Sequence, residues 1–126
     1  MARVLIIDDD DVARAVLLRT LTMAGHEAIG ARDGVEGMAR FRYHSVHRPV
    51  DLVITDIFKP NQEGLATIME LRRASPSLKI IAISGGGARA SLDVLPVAEA
   101  LGAHRSLRKP FTPAEVMEAV RAVLAS

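Results

Sequence analysis

Three short runs, Val4-Leu5-Ile6-Ile7, Leu52-Val53-Ile54-Thr55 and Ile80-Ile81-Ala82-Ile83, are almost continuously apolar and rich in β-branched residues. A strand with one face in water alternates polar and apolar residues. A strand covered on both faces by helices does not, and reads as an unbroken apolar run. Longer stretches of helical period separate the three. Ala13, Val16, Leu17, Leu21 and Ala24 follow an i, i+3, i+4, i+8, i+11 spacing and stop at Gly25, a natural C-terminal cap. Val116, Met117, Val120, Val123 and Leu124 repeat the pattern near the other end. They follow Thr112-Pro113-Ala114-Glu115, which supplies an N-cap, a proline at the first helical position and the glutamate of a capping box. Glu27-Ala28-Ile29-Gly30 and a weaker run from His104 to Leu107 complete five βα units. Their alternation predicts an α/β fold, a doubly wound five-stranded parallel sheet with helices on both faces. Pro96 predicts a fourth helix that starts late, near Leu95, because a proline inside a helix costs about 3 kcal/mol. Gly85 to Val94 would then be a long, mobile loop.

A sheet of this kind holds its ligand at the carboxyl ends of the strands, where the strand order reverses. The residues standing there are Asp8, Asp9, Asp10 and Asp11 after the first strand and Asp56 after the third. Ser84 and three glycines follow the fourth, and Lys109-Pro110 the fifth. Composition removes other chemistries. The 126 residues predict one domain, 1–126, with no attached effector domain. No cysteine is present for disulfides, thiolate zinc sites or cysteine nucleophiles. Sixteen basic against fifteen acidic residues argue against binding to nucleic acid or a membrane surface. The apolar run before Asp8 is too short for a signal peptide or a membrane span, so a cytoplasmic protein is expected. His26, His44, His47 and His104 are too scattered for a metal set and are expected at the surface or an edge. Arg40, Arg42, Arg48, Arg72 and Arg73, with Glu36, Glu63 and Glu70 nearby, read as solvated helix faces.

If Asp8, Asp9 and Asp56 are neighbours, two like charges roughly 4 Å apart repel by about 4 kcal/mol at an effective dielectric near 20. Three such pairs approach about 12 kcal/mol, comparable to the stability of a small domain. A protonated carboxyl would relieve part of this and the ammonium of Lys109 more. A hard divalent cation fits best, since Mg²⁺ takes oxygen ligands from one or two carboxylates together with waters and a phosphate. Asp10 and Asp11 are better explained as helix cap and dipole partner. A carboxylate with one oxygen on a metal keeps the other free to attack phosphorus and form an acyl phosphate. Lys109, one of only three lysines, could pair with the incoming phosphoryl group, and the Ser84 hydroxyl could donate to it.

Ile6-Ile7-Asp8-Asp9, Asp56-Ile57-Phe58-Lys59-Pro60 with Gly64, Ile83-Ser84-Gly85 and Lys109-Pro110-Phe111-Thr112 together resemble a response-regulator receiver domain of two-component signalling, of the stand-alone, chemotaxis-regulator type. The resemblance runs in order along essentially the whole chain. It implies a flavodoxin-like strand order 2-1-3-4-5, with Asp56 as acceptor of a phosphoryl group from a sensor histidine kinase or phosphotransfer protein. It implies that Asp9 and Asp56 bind Mg²⁺ directly, Phe58 through its backbone carbonyl and Asp8 through water. Ser84 and Lys109 would contact the phosphoryl oxygens, and Phe58 and Gly86 would tune its lifetime. A downstream protein, or a homodimer formed through the Leu92–Leu124 region, would read the state. The chain departs from the family at Ser106, where an aromatic switch residue is usual.

Other readings meet obstacles. An aspartyl hydrolase of the haloacid dehalogenase type needs a second Asp two positions after the nucleophile, where Phe58 stands. Asp8 and Asp10 have that spacing, but Val12 replaces the expected Thr. A flavodoxin-like cofactor binder would place phosphate against four aspartates, and Gly85-Gly86-Gly87 lacks the Lys-Ser/Thr of a P-loop. A receiver-like module that binds partners regardless of phosphorylation remains the serious alternative.

Overall fold

The computed structural model describes residues 1–57, 63–85, 99–100 and 102–126. Within them five parallel strands are present: β1 (Arg3–Ile7), β2 (Glu27–Ala31), β3 (Leu52–Asp56), β4 (Lys79–Ser84) and β5 (Arg105–Arg108). They lie in the order β2-β1-β3-β4-β5, as expected. The helices are α1 (Asp11–Met23), α2 (Gly34–Ser45), α3 (Glu63–Ala74) and α4 (Pro113–Ala125). The helix expected from Leu95 and the loop expected beyond Gly85 begin outside the described residues.

The unbroken apolar runs follow from burial on both faces. Leu5, Ile7, Val53, Ile80 and Ala82 point into one cluster with Met38 and Phe41 of α2 and Ile68 and Leu71 of α3. Val4, Ile6, Leu52, Ile54, Ile81 and Ile83 point the other way, onto Leu17 and Leu21 of α1 and Val116, Val120 and Val123 of α4. Strands alternate sides residue by residue, so a two-sided core makes the strand middles apolar, and the buried polar Thr55, Asp56 and Ser84 stand at the carboxyl ends of β3 and β4.

The helix caps match the residues that announce them. Asp10 accepts from the backbone N–H of Val12 and Ala13, and Asp11 pairs with Arg14 at 2.6 Å. Gly25 follows α1 at φ +92°, a left-handed conformation that glycine adopts without steric cost. Thr112 and Glu115 close a reciprocal capping box on α4.

Three expectations need correction. Val16 and Ala24, counted in the apolar stripe of α1, are exposed. The first turns of α1 lie beyond the carboxyl end of the sheet, where Val12, Ala13 and Val16 line an open groove with Pro110 and Phe111; Ala24 is the cap residue past the last turn. Arg72 does not sit on a solvated face: its guanidinium donates to the carbonyls of Pro76 (2.8 Å), Leu78 (2.6 Å) and Gly102 (2.7 Å). Finally, Asp56 and Ser84 are the last residues of β3 and β4 rather than the first beyond them. Asp56 pairs in register with Ile83, and Ser84 with Arg108. Both are therefore held by the ladder itself.

Candidate functional site

Backbone bonds between strand ends draw the expected residues together. The Asp8 N–H donates to the Ala31 carbonyl, which fixes where the chain leaves β1. Ile57 N–H donates to the Ile83 carbonyl at 2.9 Å, and Lys109 N–H to the Ser84 carbonyl at 3.0 Å. The residue after Asp56 and the lysine after β5 are thus anchored on β4 from opposite sides. The Lys109-Pro110 peptide is cis. Gly64 belongs here for a steric reason: a Cβ at that position would run into the backbone of Ile57 and stand 2.8 Å from the Asp56 carbonyl oxygen.

One carboxylate oxygen from each of Asp8, Asp9 and Asp56 lies within 4.8 Å of the others. Asp8 is 1% exposed and Asp56 5%, whereas Asp9 faces solvent at the mouth. The Lys109 ammonium stands between the two buried acids, 3.0 Å from Asp8 Oδ2, 3.2 Å from Asp8 Oδ1 and 3.2 Å from Asp56 Oδ2. Asp8 Oδ1 also accepts the Asp10 N–H at 2.9 Å. Ser84 is buried, and its Oγ has no hydrogen-bond partner among the described residues. A buried hydroxyl without a partner is costly, at about 1–3 kcal/mol, and rare enough to call for an explanation.

Charge is not balanced in this pocket. Burial pushes the Asp8 carboxyl above its usual range, and the Asp56 charge pushes it further; the Asp10 N–H and Lys109 act in the opposite sense without cancelling the rise. Burial also works against the Lys109 ammonium. Its hydrogen bond to Asp8 and the charges of Asp56 and Asp8 outweigh that effect and raise its pKa, so it is a firmly held cation. Two buried acids against one half-buried base leave a net negative pocket with Asp9 at its rim. Hard oxygen donors in this number fit a divalent cation of the Mg²⁺ type.

Phe58 and Gly86 fall outside the described residues. Ser106 lies on β5 opposite Ala82, half-buried, away from the carboxylates. Three further contributors were not singled out from the sequence. Arg14 donates to the Asp8 carbonyl at 2.8 Å while pairing with Asp11, and so steadies the turn that carries the acids. Gly34 and Thr67 line a small cavity with Asp8, Asp9 and Asp56. A Cβ at Gly34 would collide with the Thr67 hydroxyl, so the absence of a side chain lets α2 close on α3. The i, i+3 spacing of Asp11 and Arg14 was a readable signal; the Gly34–Thr67 contact spans two helices and had none.

A parallel sheet with its polar cluster at the carboxyl ends, beside the reversal of strand order, defines a doubly wound α/β protein with a ligand-competent switch point. The chain belongs to the response regulator receiver domain family, whose model matches residues 4–121. It is 36% identical over 124 residues to the chemotaxis protein CheY of Thermotoga maritima, covering 96% of each chain. It is 34% identical to the transcriptional regulatory protein PrrA of Mycobacterium tuberculosis, covering 97% of this chain and 49% of that one. The chain therefore spans nearly all of the first relative and about half the length of the second. Among solved structures, a response regulator receiver domain protein from Clostridium thermocellum superposes with a TM-score of 0.86 at 28% identity, over 99% of this chain and 95% of that one. NtrX from Brucella abortus superposes at 0.87 and 27% identity, over 98% of this chain and 27% of that one.

Proposed function

We propose that Asp56 accepts a phosphoryl group from a phosphohistidine of a sensor kinase or phosphotransfer protein, in a reaction that requires Mg²⁺. The observation that carries this reading is the Lys109 ammonium shared between Asp8 and Asp56, with the buried Ser84 hydroxyl unpartnered nearby. In the transfer an Asp56 carboxylate oxygen attacks phosphorus, the P–N bond to imidazole breaks, and an acyl phosphate forms as imidazole leaves. Lys109 offsets the charge of the incoming oxygens, and Ser84 Oγ–H donates to one of them. Asp9 and Asp56 would hold the cation directly, Asp8 through water and Phe58 through its carbonyl. Bound there, it would supply charge neutralisation and orientation for an anionic donor approaching an anionic acceptor. The domain thereby assists its own phosphorylation and dephosphorylation rather than turning over a substrate. The change of charge at the strand ends would be read by a downstream protein or a second copy through the surface that includes β5 and α4. Ser106 carries no ring, so the state is relayed without an aromatic rotamer at that position.

Treatment with acetyl phosphate and Mg²⁺ should add one phosphoryl group to the intact mass of the protein, and none to Asp56→Asn. An unmodified wild-type protein would favour a module that binds its partners regardless of phosphorylation. Phe58→Asn should alter acyl-phosphate decay by at least several-fold, since residue 58 faces the attacking water in this reading; equal decay rates would remove it from that role.

A further inference from the structure

The strand on the far side of the sheet from β5 has a feature that phosphoryl chemistry does not use. β2 is an edge strand, Glu27-Ala28-Ile29-Gly30-Ala31. Its ladder to β1 is bounded by Glu27 N–H to the Ala2 carbonyl and Asp8 N–H to the Ala31 carbonyl. In a parallel ladder alternate residues bond to one side, so Glu27, Ile29 and Ala31 face β1. Ala28 and Gly30 turn their N–H and C=O groups outward. Sheet edges are ordinarily protected by lysine, proline or a bulge; β2 contains neither residue and pairs with β1 without a bulge. Instead a groove of about 580 Å³ runs along it between α1 and α2, with Ala28 and Gly30 among the residues that line it.

The rim of this groove is cationic. Arg14, Arg32 and Arg40 line it against a single acid, Glu36. Arg32 reaches Glu36 only at 3.7 Å, with its side chain 72% exposed, and Arg14 is engaged by Asp11. Arg40 is exposed and has no ion-pair partner among the described residues. Backbone donors and acceptors along a strand, flanked by the Arg40 guanidinium, unpaired among the described residues, and the loosely paired Arg32, suit one kind of occupant. We infer that the β2 edge docks an extended acidic peptide segment of a partner protein, which adds to the sheet as a further strand with its carboxylates on Arg40 and Arg32. A second copy of this chain is disfavoured, because edge-to-edge pairing would bring two arginine-rich rims together. Single-stranded nucleic acid is a poorer fit, because among the lining residues His44 alone offers a ring for a base to stack on.

The probe is a fluorescein-labelled hexapeptide alternating valine and glutamate, titrated with the full chain and followed by anisotropy. Saturable binding is expected, about fivefold or more weaker with Arg40→Glu. A peptide with proline in place of each valine keeps the charge but loses the valine N–H donors and resists a regular strand pairing, and should lose a similar factor. Arg40→Glu should melt like the wild type and accept phosphoryl on Asp56 unchanged, so failure here is distinguishable from failure of the phosphoacceptor reading. No saturable binding, equal binding of the proline peptide, insensitivity to Arg40→Glu, or equal binding of an oligothymidylate would each overturn the proposal. So would a concentration-dependent dimer that Arg40→Glu abolishes.

Discussion

At the amino ends of the strands each cation meets enough acceptors; at the carboxyl ends two buried acids share one ammonium. Arg3 donates to Glu27 and to the carbonyls of His44 and Arg48, while its backbone N–H reaches Asp51. Lys79 caps α4 through the carbonyls of Val123 and Ser126. Arg72 gathers three carbonyls from the loop before β4 and from Gly102. Each cation there ends on backbone oxygen or a carboxylate. Across the sheet, two buried acids share one ammonium, and the Ser84 hydroxyl has no partner among the described residues. One sheet thus has an end whose cations are engaged in holding the fold and an end where two buried acids compete for one ammonium. Competition of this kind persists where the surrounding structure holds the groups in place, as the bonds at the amino ends help it do.

The contrast can be broken by neutralising a charge at each end. The largest effect is expected for Arg72→Ala, which strips three carbonyls of a charged donor and should cost about 2–3 kcal/mol in urea unfolding. A loss within error of zero would mean that these contacts do no more than a surface arginine does. Asp8→Asn should act in the opposite direction. Removing a buried charge that faces Asp56 should stabilise the metal-free protein by about 1–2 kcal/mol. Mg²⁺ at roughly ten times its dissociation constant should add about 1.4 kcal/mol to the wild type and markedly less to the variant. Destabilisation by Asp8→Asn in metal-free buffer would show that Lys109 already balances the pocket.

The smallest effect concerns His104, at the amino end of β5. Its Nδ1 accepts the Ile80 N–H at 3.2 Å. Burial, with the charges of Arg72 and Lys79, lowers its pKa from 6.5. The folded state therefore favours neutral imidazole, and the unfolded chain takes up the proton first as pH falls. The stability contributed is complete above 6.5 and is lost as pH drops through the lower folded value. Urea midpoints measured between roughly pH 7.5 and 5 should fall for the wild type and fall less for His104→Gln. Parallel profiles would remove His104 from the account.

What could be read from the sequence divides along a physical line. Strands buried on both faces must be apolar throughout, so Val4–Ile7 and Ile80–Ile83 announce themselves, and a doubly wound sheet collects whatever follows them. Asp8, Asp9, Asp56, Ser84 and Lys109 were legible for that reason. Arg72 was not, because its acceptors are main-chain carbonyls, which every residue has and no sequence pattern marks. Val16 was misread because helical period identifies a stripe without telling how far the sheet extends beneath it. Gly34 and Thr67 meet across two helices, a contact that nothing local in either segment encodes.

The partition of the interior by the sheet has a practical consequence. The cluster under α2 and α3 and the cluster under α1 and α4 lie on opposite faces of the sheet and share no member among the described residues. Substitutions on opposite faces that share no partners add with little coupling. Engineers seeking a hardier version of this domain can therefore redesign Met38, Phe41 and Leu71 as a block. Gains made there should add to changes around Leu17 and Val120, provided Ile7 and Ile57, which adjoin Asp8 and Asp56, are left in place.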